Sequence, residues 1–218
     1  RHLEENSGIR GQEILQPTNV ERAVELFRRD GFVVVENVLN IEQIEFLATG
    51  CNEIVNEVAL LDSDSKGNRG SHRYSFGGSS MTRSQLHRPE WQMLLEIPEV
   101  IRLVNAIFGS EDYILRAGSG DFCLPGAVDY QPLHSDVGDW VDNTRSPFSS
   151  FFDPRGQTSI RDLPPPYVCV NFLPQEVTRI NGATRQIPGT QNSRAKIPSL
   201  AEEPEWMRLS TVCPAPAG

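Results

Sequence analysis

The stretch Tyr130-Gln131-Pro132-Leu133-His134-Ser135-Asp136 constrains the fold more than any other part of this 218-residue chain. It reads as a strand-like run ending in a His-x-Asp pair. Side chains two apart on a strand share a face, so His134 and Asp136 can reach one metal ion. One imidazole and one carboxylate are two thirds of the 2-His-1-carboxylate set that holds non-haem Fe(II) and leaves coordination positions open. In a chain with four histidines, such a pair also arises by chance, as a His and an Asp on a surface loop.

Two further motifs follow in order. The first is the strand Val168-Cys169-Val170-Asn171-Phe172-Leu173. The second is Asn181-Gly182-Ala183-Thr184-Arg185-Gln186-Ile187-Pro188-Gly189-Thr190-Gln191. The succession Q-P-L-H-x-D, V-N-F-L and N-G-x-x-x-x-I-P-G-[ST] resembles the phytanoyl-CoA dioxygenase family of Fe(II)/2-oxoglutarate oxygenases. The resemblance takes in Arg116 to Pro125 and, more loosely, the N-terminal helices. It implies a mainly β fold with flanking helices, a double-stranded β-helix (jelly roll, cupin-like). It also implies oxidation of a small molecule with Fe(II), 2-oxoglutarate and O2, the keto acid being decarboxylated to succinate. His134 and Asp136 become the metal ligands and catalytic pair. Gln131 matches a position that in relatives can bond 2-oxoglutarate, and an amide can donate to a carboxylate. Arg185 is a further candidate for an anionic group, or a solvated rim arginine. Asn171 points opposite to Val170 and Phe172, and is a cofactor-binding candidate if its face looks into the barrel. Related halogenases lack the carboxylate at the position of Asp136, so its presence favours oxygenation.

The family places a second histidine ligand, followed by a 2-oxoglutarate-binding arginine, on a late strand. No histidine follows His134 here, the chain opens at Arg1, and it ends in Pro214-Ala215-Pro216-Ala217-Gly218. The expectation is a jelly roll truncated at its C-terminus, with that strand missing. The competing reading is a non-catalytic or incomplete binding scaffold. A cupin-type isomerase would bring more histidines.

A chain of this length makes one domain, burying roughly 70% of its unfolded surface. The expected division is a helical buttress with the first strands over 1–110, then a barrel core over 111–218 carrying a lid insertion over 137–166. The net charge of -9 disfavours nucleic acid and anionic membranes, because phosphate binding rests on Lys/Arg clusters. No apolar run nears the ~20 residues that span a bilayer. Cys51, Cys123, Cys169 and Cys213 form no C-x-x-C pair, which fits reduced thiols in a cytoplasm.

Along the chain, residues 1–17 read as an arm. Thr18-Asn19-Val20-Glu21 spells a capping box opening a helix with Val20, Ala23, Val24 and Phe27 at helical spacing, ended by Asp30-Gly31. Phe32–Val35 reads as a buried strand. Asn40 caps a longer helix with Ile41, Ile44, Leu47, Cys51, Ile54, Val55 and Val58 in one stripe. Ser71 to Gly78 is an extended segment in which Arg73 or Tyr74 lines the mouth of the site, unless this is a surface strand. His72 and His87 precede His134, against the family order, and His87 reads as a capping or surface residue. Pro89 to Phe108 is a helix interrupted at Pro98, with Leu94, Leu95, Val100, Leu103, Val104 and Ile107 inward and Gly109 closing it. Tyr113–Ala117 reads as a strand, Gly118-Ser119-Gly120 as too glycine-rich for a strand centre, and Phe122-Cys123-Leu124 as a continuation of the strand before Pro125-Gly126 turns the chain. The aromatics of 137–166, Phe152 among them, make a lid over an apolar substrate or a homodimer contact. Lys196 to Trp206 reads as a loop without chemistry.

Overall fold

The computed structural model describes residues 13–78, 82–136, 138–139, 150–151, 153–159, 162–178, 180–182, 184–193, 195–206 and 209–218. Ile14–Leu15 (β1) pairs in parallel with Val34–Val35 (β2), so the expected arm carries one short strand. Between them runs α1, Val20–Asp30. The capping box expected from Thr18 is not formed. Asn19 occupies the N-cap and its side chain makes no capping bond, while Ala23 and Leu26 form the buried face. The stop is as read: Gly31 takes φ +87° and its N–H returns to the Phe27 carbonyl, a left-handed cap that glycine adopts without steric penalty.

Helix α2 spans Ile41–Leu61. Its cap is reciprocal: Gln43 N–H donates to Asn40 Oδ1 and Asn40 N–H to Gln43 Oε1, each at 2.9 Å. Leu47, Ile54 and Val58 of the predicted stripe are buried, each contributing about 1.5–3 kcal/mol over exposure. Ile41 is exposed instead. Two further helices follow: α3, Pro89–Leu95, packs against α2, and α4, Pro98–Phe108, packs against α1. They separate at Pro98, which is tolerated in a first helical turn but not in an interior. Ile97 at the break is buried and Leu95 is not, contrary to its inward assignment. The break rotates the apolar face.

Strand β3, Arg73–Gly77, pairs antiparallel with β4, Ser119–Cys123, with Phe76 opposite Gly120. The strand expected at Tyr113–Ala117 is irregular, and pairing begins at the glycines instead. The reason is steric: a Cβ on Gly120 would lie 2.4 Å from Phe76 Cζ. The absent side chain is therefore what admits the ring. Tyr74, Phe76, Trp91 and Phe122 pack together over α2. Tyr74 stacks on Phe122 at 4.9 Å, and Phe76 meets Trp91 edge-on at 5.8 Å.

Beyond β4 the regular elements are short. Gly138–Asp139 (β5) pairs in parallel with Ser150–Phe151 (β6), and Arg185–Gln186 (β7) pairs antiparallel with Thr211–Val212 (β8). A single-turn helix, α5, covers Glu203–Trp206. The predicted strand character of 130–136 and of Val168–Leu173 is absent; both run as irregular chain. Among the described residues the sheets are two-stranded and none closes into a barrel. Residues 214–218 are bonded to the rest of the fold. Ala215 and Val177 exchange backbone bonds, Gly218 N–H donates to Leu173 O, and Gly218 O accepts from Val38 and Leu39. All four cysteines are free thiols. Among the described residues no helix is long and apolar enough to cross a membrane.

Candidate functional site

Pro132 has no N–H, and residues 130–136 join no sheet, so this stretch is held by side chains. The His134 ring is fixed from both sides. Its Nδ1 lies 2.9 Å from the Pro132 carbonyl, and its Nε2 lies 3.2 Å from Gln131 Nε2. A carbonyl oxygen accepts and an amide nitrogen donates. Both contacts therefore assign one tautomer, with the proton on Nδ1 and the lone pair on Nε2. Arg73 Nη2 donates to Gln131 Oε1 at 3.4 Å, which sets the Gln131 amide in the orientation that donates to the imidazole.

His134 Nε2 also lies 3.4 Å from Asp136 Oδ1, both side chains being about half exposed. Two ligands at right angles, each about 2.1 Å from an octahedral ion, stand about 3 Å apart. The pair thus has the donor types and nearly the separation of two adjacent ligands. The Asp136 and Asp121 carboxylates and the Arg116 guanidinium act on the groups beside it. Burial, followed by the charges of Asp136 and Asp121, pushes the Cys169 thiol above its usual range. Burial, with Cys169 and Asp136, does the same to the Tyr167 phenol. Among the described residues no third His, Cys, Asp or Glu joins the pair. His72 bonds Ser71 Oγ and packs on Gly126, and His87 bonds the Ser84 carbonyl.

On its other side His134 borders a cavity of about 250 Å³, shared with Leu133, Ser135, Arg185, Ile187 and Trp206. Its far wall is the Asn-Gly/Pro-Gly motif, docked on the end of α1. There Gln191 Nε2 donates to the Arg28 carbonyl at 2.8 Å and Gly189 N–H to Asp30 O at 2.9 Å. Arg185 stands in this wall with Nε 3.1 Å from Ser210 Oγ, and burial lowers its pKa from the ordinary guanidinium value.

The structure therefore brings Gln131, His134, Asp136 and Arg73 into one chain of contacts, and puts Arg185 across the cavity from His134. Asn171 is exposed, its Oδ1 accepting from the Cys169 thiol at 3.6 Å. Tyr74 is 2% exposed, with its hydroxyl on Asp62. It belongs to the core rather than to a substrate mouth, because its ring completes the stack on Phe122. Phe152 lies outside the described residues, as does most of the predicted lid.

The phytanoyl-CoA dioxygenase family model matches residues 27–210. The chain belongs to the phytanoyl-CoA dioxygenase family. No curated protein and no solved structure matches it. Phytanoyl-CoA dioxygenase membership points to an oxygenase of the Fe(II)/2-oxoglutarate type, and the matched span contains every candidate residue named above.

One residue escaped the sequence reading. Glu203, in the stretch read as a loop without chemistry, is fully buried and its Oε1 accepts the Leu133 N–H at 2.8 Å. A signal was present. Ser199-Leu200-Ala201-Glu202 spells a capping box, and Glu202 does bond the Ser199 N–H and hydroxyl. That motif announces the helical turn on which Glu203 stands.

Proposed function

We propose that this chain is a non-haem Fe(II)/2-oxoglutarate-dependent dioxygenase that oxidises a small molecule lodged beside His134, on the jelly-roll scaffold of its family. The observation that carries the reading is the proximity of His134 Nε2 to Asp136 Oδ1 at 3.4 Å. Those two atoms would hold the metal. The chemistry such a centre supplies is O2-dependent decarboxylation of 2-oxoglutarate to succinate and CO2, coupled to hydroxylation or a related oxidation. The chain's own residues do the placing. The Pro132 carbonyl keeps the His134 proton on Nδ1, so Nε2 can ligate without losing a proton, the Gln131 N–H that it accepts being displaced by the metal. The Gln131 amide, oriented by Arg73, offers a donor beside the metal position to an oxygen of the keto acid. Arg185 supplies positive charge to an anionic group in the cavity, and Leu133, Ile187 and Trp206 give its body apolar contact. Asn171 stands on the stretch that borders Asp136 through Cys169.

The second reading, a binding scaffold without turnover, is favoured by the two-donor count among the described residues. One experiment separates the two. The full chain is titrated anaerobically with Fe(II) and 2-oxoglutarate, the visible charge-transfer absorption is recorded, and succinate is measured after O2 is admitted. The oxygenase reading expects both signals in the wild type and neither in His134→Ala or Asp136→Ala. Absorption without succinate would establish the scaffold. Unchanged signals in either variant would remove these residues from the metal.

A further inference from the structure

Glu203 is 0% exposed, in the only turn of α5, yet its side chain's described hydrogen bond goes to the stretch that carries His134 and Asp136. Oε1 accepts the Leu133 backbone N–H at 2.8 Å across seventy positions of sequence. The Tyr130 hydroxyl lies near enough to the same carboxyl that its pKa is raised by it. Among the described residues Oε2 has no hydrogen-bond partner. A buried carboxyl with an unpaired oxygen is unfavourable, where a leucine of similar volume would avoid the desolvation altogether. The position is therefore poorly explained by packing alone.

What the carboxyl provides is an anchor where the backbone has none. Residues 130–136 join no sheet ladder, and Pro132 removes one donor from the stretch. The Leu133 N–H, adjacent to His134, would otherwise be left unpaired in a partly buried position. We infer that Glu203 is a positioning residue for the metal ligands: it holds the Leu133 N–H, and so fixes the segment in which His134 Nε2 and Asp136 Oδ1 approach each other. This rests on His134 and Asp136 being ligands. An outer partner of this kind acts by removing alternative orientations of the ligand, and its loss commonly weakens metal affinity by about 10–100-fold.

The test compares Glu203→Leu, which removes the acceptor, with Glu203→Gln, which keeps one, and with Tyr130→Phe. Glu205→Gln, on the exposed side of the same turn, is the control. Each full-length variant is read for hydrogen exchange at the Leu133 amide and for Co(II) affinity from its visible absorption. Glu203→Leu should speed Leu133 exchange by about tenfold or more and raise the Co(II) Kd by about 10–100-fold. Glu203→Gln and the control should stay within about threefold of wild type, and Tyr130→Phe should fall between. Wild-type exchange or wild-type Co(II) affinity in Glu203→Leu would overturn the assignment. So would a Glu203→Gln variant that folds and fails as badly. If Glu203→Leu does not fold, Tyr130→Phe decides: faster Leu133 exchange with weaker Co(II) binding supports the anchor, and wild-type values overturn it. A wild-type chain that takes up no Co(II) would defeat the ligand reading instead, while the exchange arm would still report on the anchor.

Discussion

Substituting Gly120 by alanine should destabilise the protein by overpacking at the β3–β4 pair. The added Cβ would lie 2.4 Å from Phe76 Cζ and 2.8 Å from its Cε1, against about 3.5–4.0 Å for a comfortable carbon contact. The ring must retreat by about 1 Å. It has little room to do so, because Phe76 is 4% exposed, edge-on to Trp91 at 5.8 Å and tilted against Phe122 at 6.3 Å. Overpacking of this kind costs about 1–3 kcal/mol. Replacing glycine within a strand returns about 0.5–1 kcal/mol. The net loss is therefore about 1–2 kcal/mol, a fall in Tm of about 2–8 °C for a chain of this size. Urea denaturation of Gly120→Ala, Phe76→Leu and the double variant would measure it. The smaller side chain in Phe76→Leu makes room for the methyl, so the two losses should couple favourably by about 1 kcal/mol. A Gly120→Ala protein as stable as wild type, or strictly additive losses in the double variant, would show that the glycine is not there for the ring.

Three further outcomes follow from the site and its surroundings. Asp136→Ala should abolish metal-dependent succinate formation yet leave stability within about 0.5 kcal/mol, since its side chain is 57% exposed; a cooperative unfolding curve displaced by more than that would give Asp136 a structural role. Gln131→Leu should raise the KM for 2-oxoglutarate on the order of tenfold, through loss of a hydrogen bond to a charged group; an unchanged 2-oxoglutarate dependence with an altered substrate KM would reassign it. Asp153 is held down at about 2, first by the Arg155 backbone N–H and then by those of Thr158 and Gln157. Its unfolded value is about 3.9, so its folded pKa is depressed. Its contribution is complete above about pH 4 and is lost as pH falls toward 2. Asp153→Asn should therefore flatten the acid limb of the urea midpoint against pH, and parallel curves for the two proteins would contradict the assignment.

The helical half was legible because its signals are local. Asn40 and Gln43 stand three apart and make the cap by themselves, Gly31 and Gly109 take the left-handed conformation expected of helix stops, and Pro98 splits a continuous apolar pattern. Thr18 shows the limit of such reasoning, since the same spacing produced no cap once Asn19 took the terminal position. The start of β4 was missed for a different reason, although Phe122 and Cys123 do lie in the strand. Glycine content argues against a strand when only propensity is weighed, but Gly120 is chosen by a ring on the opposing strand, and nothing within residues 113–123 announces Phe76. At the site, His134, Asp136 and Gln131 could be read because they lie within six residues. Tyr74 could not be told from Arg73 by alternation alone, although their side chains leave β3 on opposite faces and only one can enter the core.

The metal-ligand stretch shows why local reading reaches the donors and misses their support. A strand holds its side chains through ladder bonds to its neighbours, and the alternation of sequence reports that arrangement. Residues 130–136 have no ladder in this structure, so direction has to come from elsewhere: a carbonyl two residues back for the imidazole, an amide steered by Arg73, and a buried carboxyl from residue 203 for the backbone. The cavity is assembled in the same way, with the end of α1 on one side and the Asn-Gly/Pro-Gly loop on the other, joined by Gln191 to the Arg28 carbonyl. Each of these contacts spans dozens of residues except the first, and none carries a periodicity. A site supported in this way should therefore be sensitive to changes at residues far from the donors, as a ligand pair on a well-paired strand would not be.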